Sequence, residues 1–227
     1  MNFKRITLFS GHYGSGKTNA AVNCALFLRE QYDDVVIADL DIVNPYFRTK
    51  DSEKVLTESG VKLISSEYAG SNVDLPAMPA ETYSILDNRD IHAVIDVGGD
   101  DRGALALGRY VPSIIEEDDY DMLLVINCYR PLTRDAEGTL EVMREIEAAC
   151  GLRFTGIVNN SNLGEETTAE AVLASEAYAE EIAAATGLPV KMTTVLESIA
   201  PELEGKINNI TPIRLFVRQS WDSQEEK

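Results

Sequence analysis

Residues 11–18 read Gly-His-Tyr-Gly-Ser-Gly-Lys-Thr. They follow a β-branched apolar run at 6–9 and precede a helical pattern carried by Ala20, Ala21, Cys24, Ala25, Phe27 and Leu28. A strand, a GxxxxGK[ST] loop and a helix in that order admit very few folds. Gly11, Gly14 and Gly16 let the main chain turn its N–H groups inward without Cβ clashes, which makes an anion nest. The following helix adds its positive end. Ser15 and Asn19, inside and just after the loop, join that nest as candidate nucleotide ligands. Lys17 is placed to reach the β- and γ-phosphates, and the Thr18 hydroxyl to ligate Mg²⁺.

Short apolar runs recur at 35–38, 61–64, 93–95, 122–126, 154–158 and 190–195, separated by helical patterns. One such pattern carries Leu140, Val142, Met143, Ile146 and Ala149, and another runs over 168–185. Strands apolar on both faces and joined by helices predict an α/β fold: a mostly parallel, doubly wound sheet of about seven strands with helices on both faces. Ligands of such sheets sit at the carboxyl ends of the strands. The 227 residues show no repeat and no Gly/Ser linker, so one domain over 1–227 is expected. The longest irregular stretch, 66–79, has the length of a functional loop.

Composition removes several classes. Against 38 Asp+Glu stand only 20 Lys+Arg, a net charge of −18. Nucleic-acid binders concentrate cations to displace counterions, so no nucleic-acid partner is expected. Three cysteines, Cys24, Cys128 and Cys150, lack metal-ligand spacing and read as reduced thiols. No apolar run approaches the ~18 residues of a spanning helix, and the N-terminal run is too short for a secretion signal. A cytoplasmic protein is expected.

Two further strand ends are acidic. The run at 35–38 leads into Asp39-Leu40-Asp41, and that at 93–95 into Asp96-Val97-Gly98-Gly99-Asp100-Asp101. An Asp facing the phosphate loop can hold Mg²⁺ directly or through water, and a second can position an attacking water. Asp96 and Gly99 form DxxG, in which a glycine N–H can approach a γ-phosphate. Capping of helices and turns is the competing use of these side chains. Glu116–Asp119 reads as a solvated acidic turn.

Taken together, GHYGSGKT, ADLDIVNP, VIDVGGD and the strand end GIVNN at 156–160 resemble the MinD/ParA/CobQ/CobB-like family of P-loop nucleotide-binding proteins, of the SIMIBI class. The resemblance spans most of 3–200 and implies a P-loop NTPase fold with Asp39 and Asp96 on either side of Lys17. It implies metal roles for Thr18, Asp39 and Asp96, and a water-orienting, catalytic role for Asp41 beside Lys17. It further implies that Asn159 contacts the adenine. One position departs from the family: the signature lysine early in the loop is replaced by His12. An imidazole is shorter and largely neutral at pH 7, so the homodimer closed around ATP that this lysine serves is left open. Arg48, Arg102, Arg130 and Arg134 are the candidate replacement cations, and the sequence selects none of them.

The function implied is an Mg²⁺-dependent ATP-binding protein, a switch-type ATPase that forms ADP and phosphate and acts on a protein partner. The alternative is an ATP-dependent small-molecule kinase or ligase of the dethiobiotin-synthetase-like branch, with its acceptor in the 66–79 loop. ATP is favoured over GTP because 159–162 offers asparagines and a serine, and no carboxylate for a guanine edge. In the 206–227 tail, Ile213, Phe216, Val217 and Trp221 share a face in a helical reading, while Leu215 does not. With only Arg214 and Arg218 beside it, the tail is expected to pack on the domain or to be partly disordered, and not to bind a membrane.

Overall fold

The β-branched runs become strands because their side chains fill the sheet on both faces. The computed structural model describes residues 3–40, 52–65, 82–99 and 107–216. Eight strands are found there: β1 (Ile6–Ser10), β2 (Val35–Leu40), β3 (Lys62–Ser65), β4 (His92–Val97), β5 (Tyr120–Ile126), β6 (Gly156–Asn159), β7 (Val190–Leu196) and β8 (Ile210–Ile213). They form one sheet in the order β3-β2-β4-β1-β5-β6-β7-β8, and every neighbouring pair is parallel. The parallel α/β expectation is met.

Described helices are α1 (Lys17–Arg29), α2 (Glu53–Glu58), α3 (Tyr83–Asp87), α4 (Val111–Glu117), α5 (Ala136–Cys150), α6 (Ala169–Ala174), α7 (Glu176–Thr186) and α8 (Ala200–Leu203). They cover both faces. Phe9, Ile37, Val94, Leu123 and Val125 pack with Ala20, Ala21, Cys24 and Leu28 of α1 and Leu56 of α2. Leu8, Val36, Ile95 and Leu124 point the other way, against Ile114 of α4, Ile146 of α5 and Ile182 of α7. Alternation at period two produces this split, and each such side chain taken from water contributes about 1.5–3 kcal/mol.

Three local readings change. The tail stretch read as a helical face begins instead as strand β8, parallel to β7. Asn209 turns the chain into it with φ 61°, and Pro212 is tolerated because β8 ends the sheet order. The single helix read over 168–185 is two, broken at Ser175. There the Ser175 hydroxyl donates to Val172 O at 2.7 Å and accepts from Asn159 Nδ2 at 2.9 Å, so the side chain competes with the helical ladder.

The acidic turn at 116–119 is only partly solvated. Glu117 forms a buried bidentate pair with Arg5, whose Nη1 also donates to Ile85 O at 2.9 Å and Ile91 O at 2.8 Å. This guanidinium ties the start of β1 to α3 and α4. His92 is structural, stacked on Tyr32 with ring centroids 3.5 Å apart. Among the described residues no helix is long and apolar enough to cross a membrane.

Candidate functional site

In the sheet order, β1 lies between β4 and β5, although its crossover leads to β2. Its carboxyl end is therefore a topological switch point, where the crevice of an open α/β sheet forms. The loop at 11–16 fills that crevice and delivers the chain to α1. Gly16, the N-cap of α1, has φ 86°, and a Cβ there would lie 2.1 Å from Asn160 Nδ2. Only glycine meets both demands. No side chain caps α1 at this position, whereas Asp135 caps α5 through Gly138 N and Thr168 caps α6 through Ala171 N. The uncapped first turn of a 13-residue helix leaves its N–H groups for an anion.

Lys17, Thr18 and Asn19 are all buried, as is Ser15. Lys17 Nζ is 3.4 Å from His12 O, so the ammonium is folded back over the loop. Ser15 Oγ and Ser10 Oγ are buried without a hydrogen-bond partner. Such hydroxyls are costly unless a ligand or water meets them, and Ser15 lies within the phosphate loop itself. Burial, opposed by a backbone hydrogen bond at Tyr13, and then the nearby Lys17 cation hold the His12 imidazole below its usual pKa.

The carboxylates come from β4 and β2. Asp96 pairs in register with Phe9 of β1 on one side and Asp39 of β2 on the other. Both carboxylates share the α1 face with Ile37 and Val94, two residues earlier on each strand. Thr18 Oγ1 donates to Asp96 Oδ2 at 2.7 Å. β4 intervenes between β1 and β2, so the two acids are neighbours on one side of β1, on strands about 4.8 Å apart. Gly99 closes this side: a Cβ on it would be 2.1 Å from Gly11 O. Asp41, Asp100, Asp101, Arg48, Arg102 and the 66–79 loop lie outside the described residues.

The opposite side of the loop is built from β5 and β6. Asn160 Nδ2 donates to Ser15 O at 2.5 Å, and Asn160 Oδ1 accepts from the Thr194 hydroxyl of β7. Arg130, just after β5, donates from Nε to Gly14 O at 2.8 Å. Asn159 has its amide engaged elsewhere, with Nδ2 on Ser175 Oγ and on Glu176 Oε1 at 3.1 Å, while its Oδ1 accepts from Ser161 N. It is fully buried. Asn160 is the β6-end asparagine that touches the loop, while Asn159, expected from the resemblance to contact the adenine, turns its amide to Ser175 and Glu176.

The Asn19 side chain accepts from Phe216 N at 2.9 Å through Oδ1 and so ties α1 to the segment after β8. Arg134 is exposed and pairs with Asp135 at 3.5 Å. Among the described residues no three His, Cys, Asp or Glu side chains gather as a metal cage. A hydroxyl next to a carboxylate suits Mg²⁺, which is commonly bound through one or two protein groups, phosphates and water.

A search of protein-family models finds no match, and a search of curated proteins finds no similar sequence. Solved structures do match. The cell division protein FtsY of Thermotoga maritima superposes with a TM-score of 0.59 at 21% identity, covering 85% of this chain and 62% of that one. FtsY of Mycoplasma mycoides gives 0.51 at 19%, covering 86% and 62%. The signal recognition particle receptor FtsY of Elizabethkingia anophelis, in complex with GDP, gives 0.51 at 16%, covering 86% and 58%. The chain therefore spans about 60% of the length of each of these proteins. At such identities the likeness is one of fold: this chain has the parallel α/β fold of the P-loop NTPases that FtsY also has.

Proposed function

We propose that this protein binds a magnesium–nucleoside triphosphate on the 11–18 loop and hydrolyses its outer phosphoanhydride as a conformational switch. The observation that supports this most is the 2.7 Å bond between Thr18 Oγ1 and Asp96 Oδ2 at the foot of an uncapped helix. It sets a metal-binding hydroxyl, an acidic strand end and free amide donors around one point. A bound Mg²⁺ would supply charge neutralisation of the outer phosphates. Thr18 would hold it, with Asp96 and Asp39 orienting its waters. Lys17 would leave His12 O for the phosphate oxygens. Asp41, two residues beyond Asp39, would orient the attacking water.

The base is proposed to be adenine, because 159–162 contains no carboxylate for a guanine edge. The GDP bound by the Elizabethkingia FtsY makes guanine the second reading. Titration calorimetry with MgATP and MgGTP separates them. Lys17→Ala should weaken binding of the preferred nucleotide by about 10- to 150-fold, the worth of a charge-assisted contact. Unchanged binding would sink the reading. Turnover of the purified protein without any acceptor should release phosphate. Release only upon addition of a metabolite would favour the kinase or ligase alternative.

A further inference from the structure

The sequence leaves four arginines as candidate cations, and of the two that are described Arg134 is exposed beside Asp135 while Arg130 reaches the phosphate loop. Its main chain is fixed on all sides. Asn127, fully buried at the end of β5, accepts from Tyr129 N at 3.0 Å through Oδ1, and its carbonyl accepts from Arg130 N at 3.2 Å. Cys128 N donates to Ser161 Oγ at 3.1 Å, and Tyr129 Oη to Ala171 O at 2.8 Å. On this base Arg130 reaches across to the phosphate loop and spends Nε on Gly14 O. The guanidinium is half-buried and its position is set before any ligand arrives, as an effective binding group requires.

Its place relative to Thr18 decides which part of a nucleotide it meets. Thr18 and Asp96 lie toward β4, and a metal held by them would neutralise charge on the outer phosphates there. On the β4 side Gly99 packs against Gly11 and His12 too tightly for even a methyl group, so the backbone there crowds the rest of the ligand. The nucleoside must leave over β5 and β6, where Arg130 and the exposed Tyr13 stand. We propose that Arg130 grips the nucleoside end of the nucleotide, its guanidinium lying on the purine face, and does not replace the missing loop lysine at the terminal phosphate. A planar cation over an aromatic ring is favourable for either purine. This assignment rests on the nucleotide reading above.

Binding of MgATP, MgGTP and magnesium tripolyphosphate to the wild type, Arg130→Ala and Arg130→Lys tests it. Loss of the guanidinium should weaken the preferred nucleotide about 3- to 30-fold and leave tripolyphosphate within about twofold. Lysine keeps the charge and stem but has no planar face, so Arg130→Lys should remain weak on nucleotide. Parallel weakening of tripolyphosphate and nucleotide would overturn the proposal in favour of loop support or an outer-phosphate contact. So would wild-type nucleotide affinity in both variants. A wild type that binds none of the three ligands would refute the nucleotide reading itself, a distinct result.

Discussion

The two sides of the phosphate loop are built from different chemistry. Toward β4 and β2 the groups are carboxylates, and the described link to the loop region is a side-chain bond from Asp96 to Thr18. Toward β5 and β6 they are an amide and a guanidinium, and both bond to loop carbonyls, Asn160 to Ser15 O and Arg130 to Gly14 O. Main-chain carbonyls do not change charge or direction during a reaction. Side chains on a metal do. The comparison teaches that one side is joined to the loop through its main-chain carbonyls and the other through side chains, the arrangement that the proposed switch would use.

Breaking the acidic side should have the largest effect. Asp96→Asn keeps the volume but removes the charge behind Thr18. Turnover is expected to fall about 10- to 100-fold, as for loss of an outer-shell carboxylate at a metal. The melting temperature should change little, and phosphate release under saturating MgATP reads the outcome. Full activity would return Asp96 to a capping role.

Asn160→Ala should do the reverse. It strands Ser15 O and the Thr194 hydroxyl inside a buried network, at a cost of about 1–3 kcal/mol read by denaturant unfolding. Thr194→Ala should overlap with it rather than add, because the two share one network. Strict additivity would show that Asn160 and Thr194 act apart.

The smallest effect belongs to the neutral imidazoles. His12 and His92 both have lowered pKa values, caused first by burial. The unfolded chain then binds more protons than the folded one as pH falls below about 6.5, so stability declines there and is unaffected above that value. His12→Asn should remove part of this decline, on the order of a degree in Tm at about pH 5.5, since a half-exposed ring is well screened. An identical pH profile in wild type and variant would mean that His12 titrates alike in both states.

How much of this was legible beforehand varies with the range of the interaction. The phosphate loop, α1 and the acidic ends of β2 and β4 follow from contiguous residues and were readable. The Ser175 break was not, since nothing near Thr168 or Ala185 marks it; the hydroxyl that breaks the helix is held by Asn159 from another element. Glu117 looked solvated because its partner, Arg5, is 112 residues away. β8 was hidden by a helical spacing that its four residues, one of them proline, do not follow.

Sequence alone determined that a glycine-rich turn would join a strand to a helix here, and that lysine and threonine would open that helix. Those are constraints within a single turn of chain, imposed by φ angles that glycine permits and by the uncapped helix end. Tertiary structure alone decided the rest of the site. Strand order put Asp39 and Asp96 side by side and brought Asn160 and Arg130, 145 and 116 residues distant from their partners, onto the loop's other edge. No local pattern encodes such contacts. They depend on which strands become neighbours, and burial of apolar faces over the whole sheet fixes that.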